Sequence, residues 1–254
     1  MTTDLIEISA GFWNIRGSFK VGGFLDVGTH CSLAQLQSGD FVLLDGVPFS
    51  DEIDRRIAEH TDRGRAIRAV LHLHPFHTLH VTRCAQRFPN AKLYGTARHK
   101  RLAPSLPWQE LETDSPRLHE LFGDDFSFSV PRGVDFIPSN EQLHFCSVLA
   151  IHRGAGVLHV DDTLSWLSLP LLGDTLQFHP TLPFVLQRRR GAVDEFRAWV
   201  EELVRACEPL TYLCTAHGKT PPPRPLGAPS LAERIGKALG RVEFLLSAHQ
   251  RRHG

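Results

Sequence analysis

The chain has 254 residues, 42% of them hydrophobic and 22% charged. That length buries a substantial core, and the composition excludes a disordered or collagenous chain. Lys plus Arg equals Asp plus Glu at 28 each, so no net charge draws the protein to nucleic acid or to an acidic membrane surface.

The opening segment MTTDLIEIS lacks a basic n-region and an apolar core, so no secretory signal is expected. No apolar run reaches the roughly 20 residues that span a bilayer. The expected location is the cytoplasm, with no membrane and no nucleic-acid partner. Short strands are predicted over Leu5–Ile8 and Phe12–Ile15, a glycine-punctuated one over Phe19–Leu25, and another over Cys31–Leu36. Phe41-Val42-Leu43-Leu44-Asp45-Gly46 reads as a strand buried on both faces. Ser50 is placed to cap a helix over Asp51–Arg63, with acidic residues in its first turn.

Ile67–Leu71 reads as a strand that runs into a histidine cluster, Thr78–Phe88 as a helix stopped by Pro89, and Ala91–Gly95 as a strand. From Thr96 to Gly123 a polar, proline-bearing surface excursion with short helices is expected. Strands follow over Phe126–Val130, Val134–Ile137, His144–His152 and Gly156–Val160, then a less regular stretch over Trp166–Val185. Val193–Cys207 is an amphipathic helix, and Leu210–Thr215 is a strand ending at Ala216-His217-Gly218. Five prolines make Thr220–Pro229 a stiff linker. Ser230–Arg251 closes as a helix with Leu231, Ile235, Leu239, Val242 and Leu246 on one stripe, a docking face within the fold or across a homodimer. The expected organisation is residues 1–219 as one domain, 220–229 as linker and 230–254 as the docking helix. Strands, a helix, strands again and late helices suggest two mostly antiparallel sheets with helices outside.

Two features carry chemistry. The 15 histidines are the compositional oddity, and three of them, His72, His74 and His77, fall within six residues at a strand end. Neutral imidazole is the commonest protein ligand for zinc and also suits iron. Further strand ends present Asp161-Asp162-Thr163 and His217, with His144 heading an earlier strand. The five cysteines, Cys31, Cys84, Cys146, Cys207 and Cys214, form no CxxC pair and read as buried reduced thiols. Trp13, Trp108 and Trp166 read as core, His80 as a helix residue and Arg188-Arg189-Arg190 as a solvated turn that could also steer an anion.

In order and type these residues resemble the metallo-β-lactamase superfamily over nearly the whole chain. That family has a strand ending in Asp-x-Gly, then His-x-His-x-Asp-His, Gly-His, Gly-Asp-Thr and a late His-Gly. This chain offers Asp45-Gly46, His72-Leu73-His74-Pro75-Phe76-His77, His144, Asp162-Thr163 and His217-Gly218. The resemblance implies an α+β fold, a four-layer αβ/βα sandwich with a metal site at one edge. It implies a first metal on His72, His74 and His144 and a second on His77 and His217, bridged by Asp162. Asp45 would brace nearby loops. Asp161 or Asp162 would orient water or take its proton.

Two departures stand out. Phe76 replaces the family's ligating aspartate, and His144 continues as Phe145-Cys146-Ser147 without Thr-x-Gly, which leaves His152 as its rival. Paired divalent ions need carboxylates to offset their repulsion, so one firmly held metal is expected, with the second weak or absent. The function expected is a metal-dependent hydrolase, with zinc ahead of iron, acting on an ester, amide, thioester or phosphoester of a small-molecule substrate. The alternatives are a catalytically degenerate binding protein and an iron redox protein.

Overall fold

The computed structural model describes residues 4–21, 25–169, 173–217 and 223–254. The chain divides into two compact units, Met1–Ser127 with Ile151–Val157, and Phe128–Ala150 with Leu158–Gly254. Gly218 and the start of the proline linker lie outside the described residues, as do residues 22–24 of the expected Phe19–Leu25 strand.

The first unit is built on a seven-stranded sheet. Its strands are β1 (Leu5–Ser9), β2 (Phe12–Gly17), β5 (Thr29–Gln35), β6 (Phe41–Leu44), β7 (Ile67–Leu71), β8 (Lys92–Gly95) and β9 (Trp108–Glu112), in that spatial order. A separate short pair, β3 (Lys20–Val21) and β4 (Leu25–Asp26), stands beside it in sequence. The leading strands pair antiparallel, but β6, β7, β8 and β9 are parallel. The expectation of mostly antiparallel sheets therefore holds only for the first half of this one. The cause is the helix α1 (Asp51–His60), which carries the chain back over the sheet from β6 to β7 and so makes the two strands parallel.

Helix α1 starts where expected, with the Ser50 hydroxyl accepting from the Ile53 amide at 3.3 Å. Ile53 and Ile57 turn inward to the core, each worth about 1.5–3 kcal/mol of burial. It stops three residues before Arg63, because the Thr61 hydroxyl donates to the Ile57 carbonyl and accepts from Gly64, and the chain turns left-handed at Asp62 and Arg63. Helix α2 (Val81–Arg87) begins three residues later than the periodicity predicts. The polar stretch after Thr96 is more than a surface excursion. It supplies α3 (Ala97–Leu102), the edge strand β9 and α4 (Pro116–Leu121).

The second half of the chain adds a four-stranded sheet in the order β10 (Phe126–Ser129), β11 (Leu149–His152), β12 (Val157–Val160) and β15 (Tyr212–Thr215). Two expected strands shrink. Val134–Ile137, bracketed by Pro131 and Pro138, keeps one isolated bridge from Val134 to Leu186, since proline cannot donate to a ladder. Of His144–His152 only Leu149–His152 is strand; upstream, Ser147 bonds instead to the Thr163 hydroxyl. The stretch expected to be irregular holds a hairpin, β13 (Leu164–Leu169) and β14 (Gly173–Phe178), followed by the short helix α5 (Leu182–Val185).

Helix α6 (Ala192–Cys207) buries Val193, Phe196, Trp199, Val200 and Leu203. Phe178 meets Phe196 edge-on and Trp199 at a tilt, at ring separations of 5.4 and 6.3 Å. Helix α7 (Leu231–His253) opens with a capping box of Ser230 and Glu233. It docks within the second unit, where Glu243 pairs with Arg197 of α6 and Arg241 donates to the Leu176 carbonyl of β14. Its buried face is Leu231, Ala232, Ile235, Ala238 and Leu246; Leu239 and Val242 are only half-buried. Two of the buried residues, Ala232 and Ala238, lie outside the expected hydrophobic stripe. All five cysteines are buried and no disulfide joins them. No helix among the described residues is long and apolar enough to cross a membrane.

Candidate metal centre

In the first unit the parallel strands β6, β7 and β8 end at one edge, the position where open sheets with such strands hold ligands. The chain after β7 is tied there on three sides. The His72 amide donates to the Tyr94 carbonyl at 3.0 Å, the Thr113 hydroxyl to the His72 carbonyl at 2.9 Å, and the Leu73 amide to the Asp45 carboxylate at 2.8 Å. Asp45 is buried and left-handed at φ 60. It acts as the brace that the resemblance implies, holding the peptide of the histidine segment.

His72 and His74 are buried and His77 is half-buried. Potential ligand atoms of His74 and His77 lie within 4.8 Å, and their rings stack at 4.1 Å. The Phe76 amide lies 3.1 Å from His74 Nδ1. Neither ring nitrogen of His72 meets a hydrogen-bond partner among the described residues. Burial, with the neighbouring His77, pushes its pKa down to about 3, so the ring is neutral and keeps a lone pair at physiological pH. A fully buried imidazole in this state carries a desolvation cost of about 1–3 kcal/mol for each unsatisfied nitrogen, and metal coordination is the chemistry that repays it.

Where the family's motif has aspartate, the Phe76 ring is almost fully buried and the Arg98 guanidinium lies over it at 4.4 Å. Arg98, at 7% exposure, also donates to the Pro75 carbonyl at 3.1 Å. The local carboxylate is thus replaced by a neutral ring and joined by a fixed cation.

The second unit carries its own set. Asp162, 3% exposed, sits 2.9 Å from His217 Nε2. His179 is close by: burial lowers its pKa, Asp162 opposes that shift, and His217 and His144 add to it. The Thr181 amide donates to His179 Nδ1 at 3.3 Å. His144 Nε2 donates to the Glu141 carbonyl at 2.7 Å, which leaves Nδ1 as the lone-pair nitrogen. Asp161 takes the other side of the strand end, with a carboxylate oxygen within 4.8 Å of a His159 nitrogen, as side-chain alternation requires for residues two apart.

Of the residues expected from the sequence, His72, His74 and His77 therefore gather in the first unit. Asp162, His217 and His144 gather in the second, while Asp161 groups with His159. The rival His152 is otherwise engaged. Its Nε2 donates to the Gln35 carbonyl at 3.0 Å and its Nδ1 accepts from Ala155 at 3.1 Å, so neither nitrogen is available. Two histidines were not anticipated. His99 lies 5.3 Å from the His72 ring, its pKa pushed well down by burial and then by His72 and His74, with the His77 backbone opposing. His179 is the other. Each is a lone histidine in sequence, with only its distance in the fold to mark it. Trp108, half-buried, borders both His72 and His99 at 6.0 Å; Trp13 and Trp166 are core.

These elements define an α+β protein with the metallo-β-lactamase fold. Among solved structures, a metallo-β-lactamase from Hirschia baltica is 15% identical at a TM-score of 0.59, over 97% of this chain and 98% of that one. The FIM-1 metallo-β-lactamase from Pseudomonas aeruginosa in its mono-zinc form is 12% identical at 0.58, over 95% and 96%. The metal-soaked Flv1 flavodiiron core from Synechocystis is 11% identical at 0.58, over 96% of this chain and 61% of that one. Neither a protein-family model nor a characterised protein sequence matches the chain.

Proposed function

We propose that this protein is a metal-dependent hydrolase loaded with zinc. The observation that carries the reading is His72, a buried neutral imidazole with both nitrogens unpartnered among the described residues. The donors of each unit suit a borderline divalent ion: the imidazoles of His72, His74 and His77 in the first, and His144, His217 and the Asp162 carboxylate in the second. A bound zinc would supply Lewis-acid polarisation of a carbonyl or phosphoryl oxygen and lower the pKa of its water to about 7. The protein's own groups supply the rest. Asp162, whose Oδ1 lies 2.9 Å from His217 Nε2, is the group to hold and return a proton. His179, beside that pair, sets its electrostatics. With Phe76 in place of a carboxylate, one ion is held firmly and a second weakly or not at all.

The substrate is a small molecule bearing an ester, amide, thioester or phosphoester. The test is metal analysis of the purified protein together with turnover of an ester and phosphodiester panel. About one zinc per chain, lost with activity in His74→Ala and Asp162→Ala, supports the hydrolase. Metal retention without turnover of any member supports a second reading, a binding protein that keeps the fold, which the Phe76 and Arg98 pairing favours. A third reading, an iron redox protein, draws on the likeness to the flavodiiron core; iron with redox-sensitive colour would bring it forward.

A further inference from the structure

A second cleft lies wholly within the second unit, at the far end of α7. It encloses about 460 Å³ between the tip of α5 and the last turns of α7, a volume in the range of small-molecule sites. Its apolar wall is Pro183, Phe184, Leu245 and Ala248, and its polar wall is Arg188, His249, Arg252 and His253. No carboxylate lines it. Leu245, Ala248, His249, Arg252 and His253 fall at three- and four-residue steps, so one face of α7 presents them together.

Two features set this cleft apart. Arg132, Arg189 and Arg197 of the unit are paired with Glu202, Glu195 and Glu243, and Arg234 and Arg241 donate to backbone carbonyls. Arg188 and Arg252 have no acidic partner among the described residues, and both are exposed. Phe184 is 69% exposed and Leu245 43%, so large apolar side chains face water beside unpaired guanidinium groups. His249 is fixed by a 3.0 Å bond to the Gln187 carbonyl, and the His253 ring lies tilted beside it at 4.6 Å. Desolvation, then the nearby His249, Arg252 and Arg188, push the His253 pKa down. The neighbouring cleft of about 720 Å³ shares Phe184 and Arg188 but carries Asp135, which disfavours an anion.

We propose that the cleft between Phe184 and Arg252 binds a small amphipathic carboxylate of the fatty-acid type, its chain against Phe184 and Leu245 and its head on Arg188 and Arg252. Isothermal titration of the full chain with decanoate, decanol and acetate tests this. Decanoate is expected to bind one per chain, with decanol and acetate at least tenfold weaker. Arg188→Ala and Arg252→Ala, both on exposed positions that leave the fold intact, should each weaken decanoate about tenfold, the size of one charge-assisted hydrogen bond. His74→Ala should bind decanoate as the wild type does, which separates this cleft from the candidate metal centre. The proposal is overturned if decanoate does not bind, if neither arginine variant weakens it, or if His74→Ala abolishes it. It is also overturned if sedimentation shows a dimer that Phe184→Asp dissociates, since a second copy would then occupy the face.

Discussion

The Arg98 guanidinium carbon lies 4.4 Å from the centre of the Phe76 ring, so the position where a ligating aspartate is expected is covered by a buried cation. This changes what restoring the carboxylate would do. From the sequence alone, Phe76→Asp should raise uptake of a second metal. Beside Arg98, the new carboxylate forms a buried ion pair with the guanidinium first. Phe76→Asp alone should leave the metal content near one, and Phe76→Asp with Arg98→Gln should raise it toward two. Elemental analysis of the two purified variants decides; a second metal in the single variant would show that Arg98 does not compete.

His99 should matter although no motif contains it. Its ring sits 5.3 Å from His72 and its Nδ1 closes the cap of α3 by accepting from the Thr96 amide. Replacing it with leucine removes the cap, worth about 1 kcal/mol, and alters the surroundings of His72. His99→Leu should weaken zinc binding, read by competition with a chromophoric chelator, by about tenfold or more. Unchanged affinity would leave His99 with a capping role alone.

His152 should behave as a structural residue with a pH signature. Burial is the leading cause that lowers its pKa, and its neutral form donates to Gln35 and accepts from Ala155. Below about 6.5, the unperturbed histidine value, the unfolded chain binds a proton that the folded chain refuses. Stability contributed by this group is therefore full above that pH and falls as the solution is acidified. His152→Gln should lose about 1 kcal/mol at pH 7, flatten the acid side of the urea-stability profile and keep the wild-type metal content. A variant that loses metal would make His152 a ligand after all.

Gly46 follows Asp45 and closes the turn beneath the histidine segment. A Cβ there would collide with the Cys84 sulfur and come within 3.7 Å of His72 Cε1. Gly46→Ala should destabilise the protein by about 1–3 kcal/mol through overpacking and lower metal affinity with it. Adding Cys84→Ala should recover much of the stability, since the clash has one partner. Denaturant midpoints for the single and double variants read this directly.

Much of this was legible in the residues. The run Phe41–Leu44 is apolar at every position and is buried at every position. Ser50 marks its helix start by chemistry that works locally. Three imidazoles at one strand end announce themselves because their spacing alone brings them together. His99 and His179 could not be read in this way, because the first belongs to a short helix after β8 and the second follows a hairpin, and only packing brings them to their neighbours. The hairpin β13–β14 was missed because Leu164-Ser165-Trp166-Leu167 puts apolar residues on both faces and blurs the alternation. The Arg98 cover over Phe76 was invisible for the same reason as His99: α3 lies in a polar stretch whose pattern gives no sign of burial.

Asp45 gives the histidine edge a memory of its shape. A non-glycine residue held left-handed costs the chain about 1–2 kcal/mol, and here that expense is tied to a carboxylate clamped on the Leu73 amide. The segment from His72 onward is consequently set by the polypeptide before any ion arrives, so stripping the protein with a chelator should empty the centre without unravelling it. Reloading should then need no refolding and run at the pace of diffusion into a ready-made cradle.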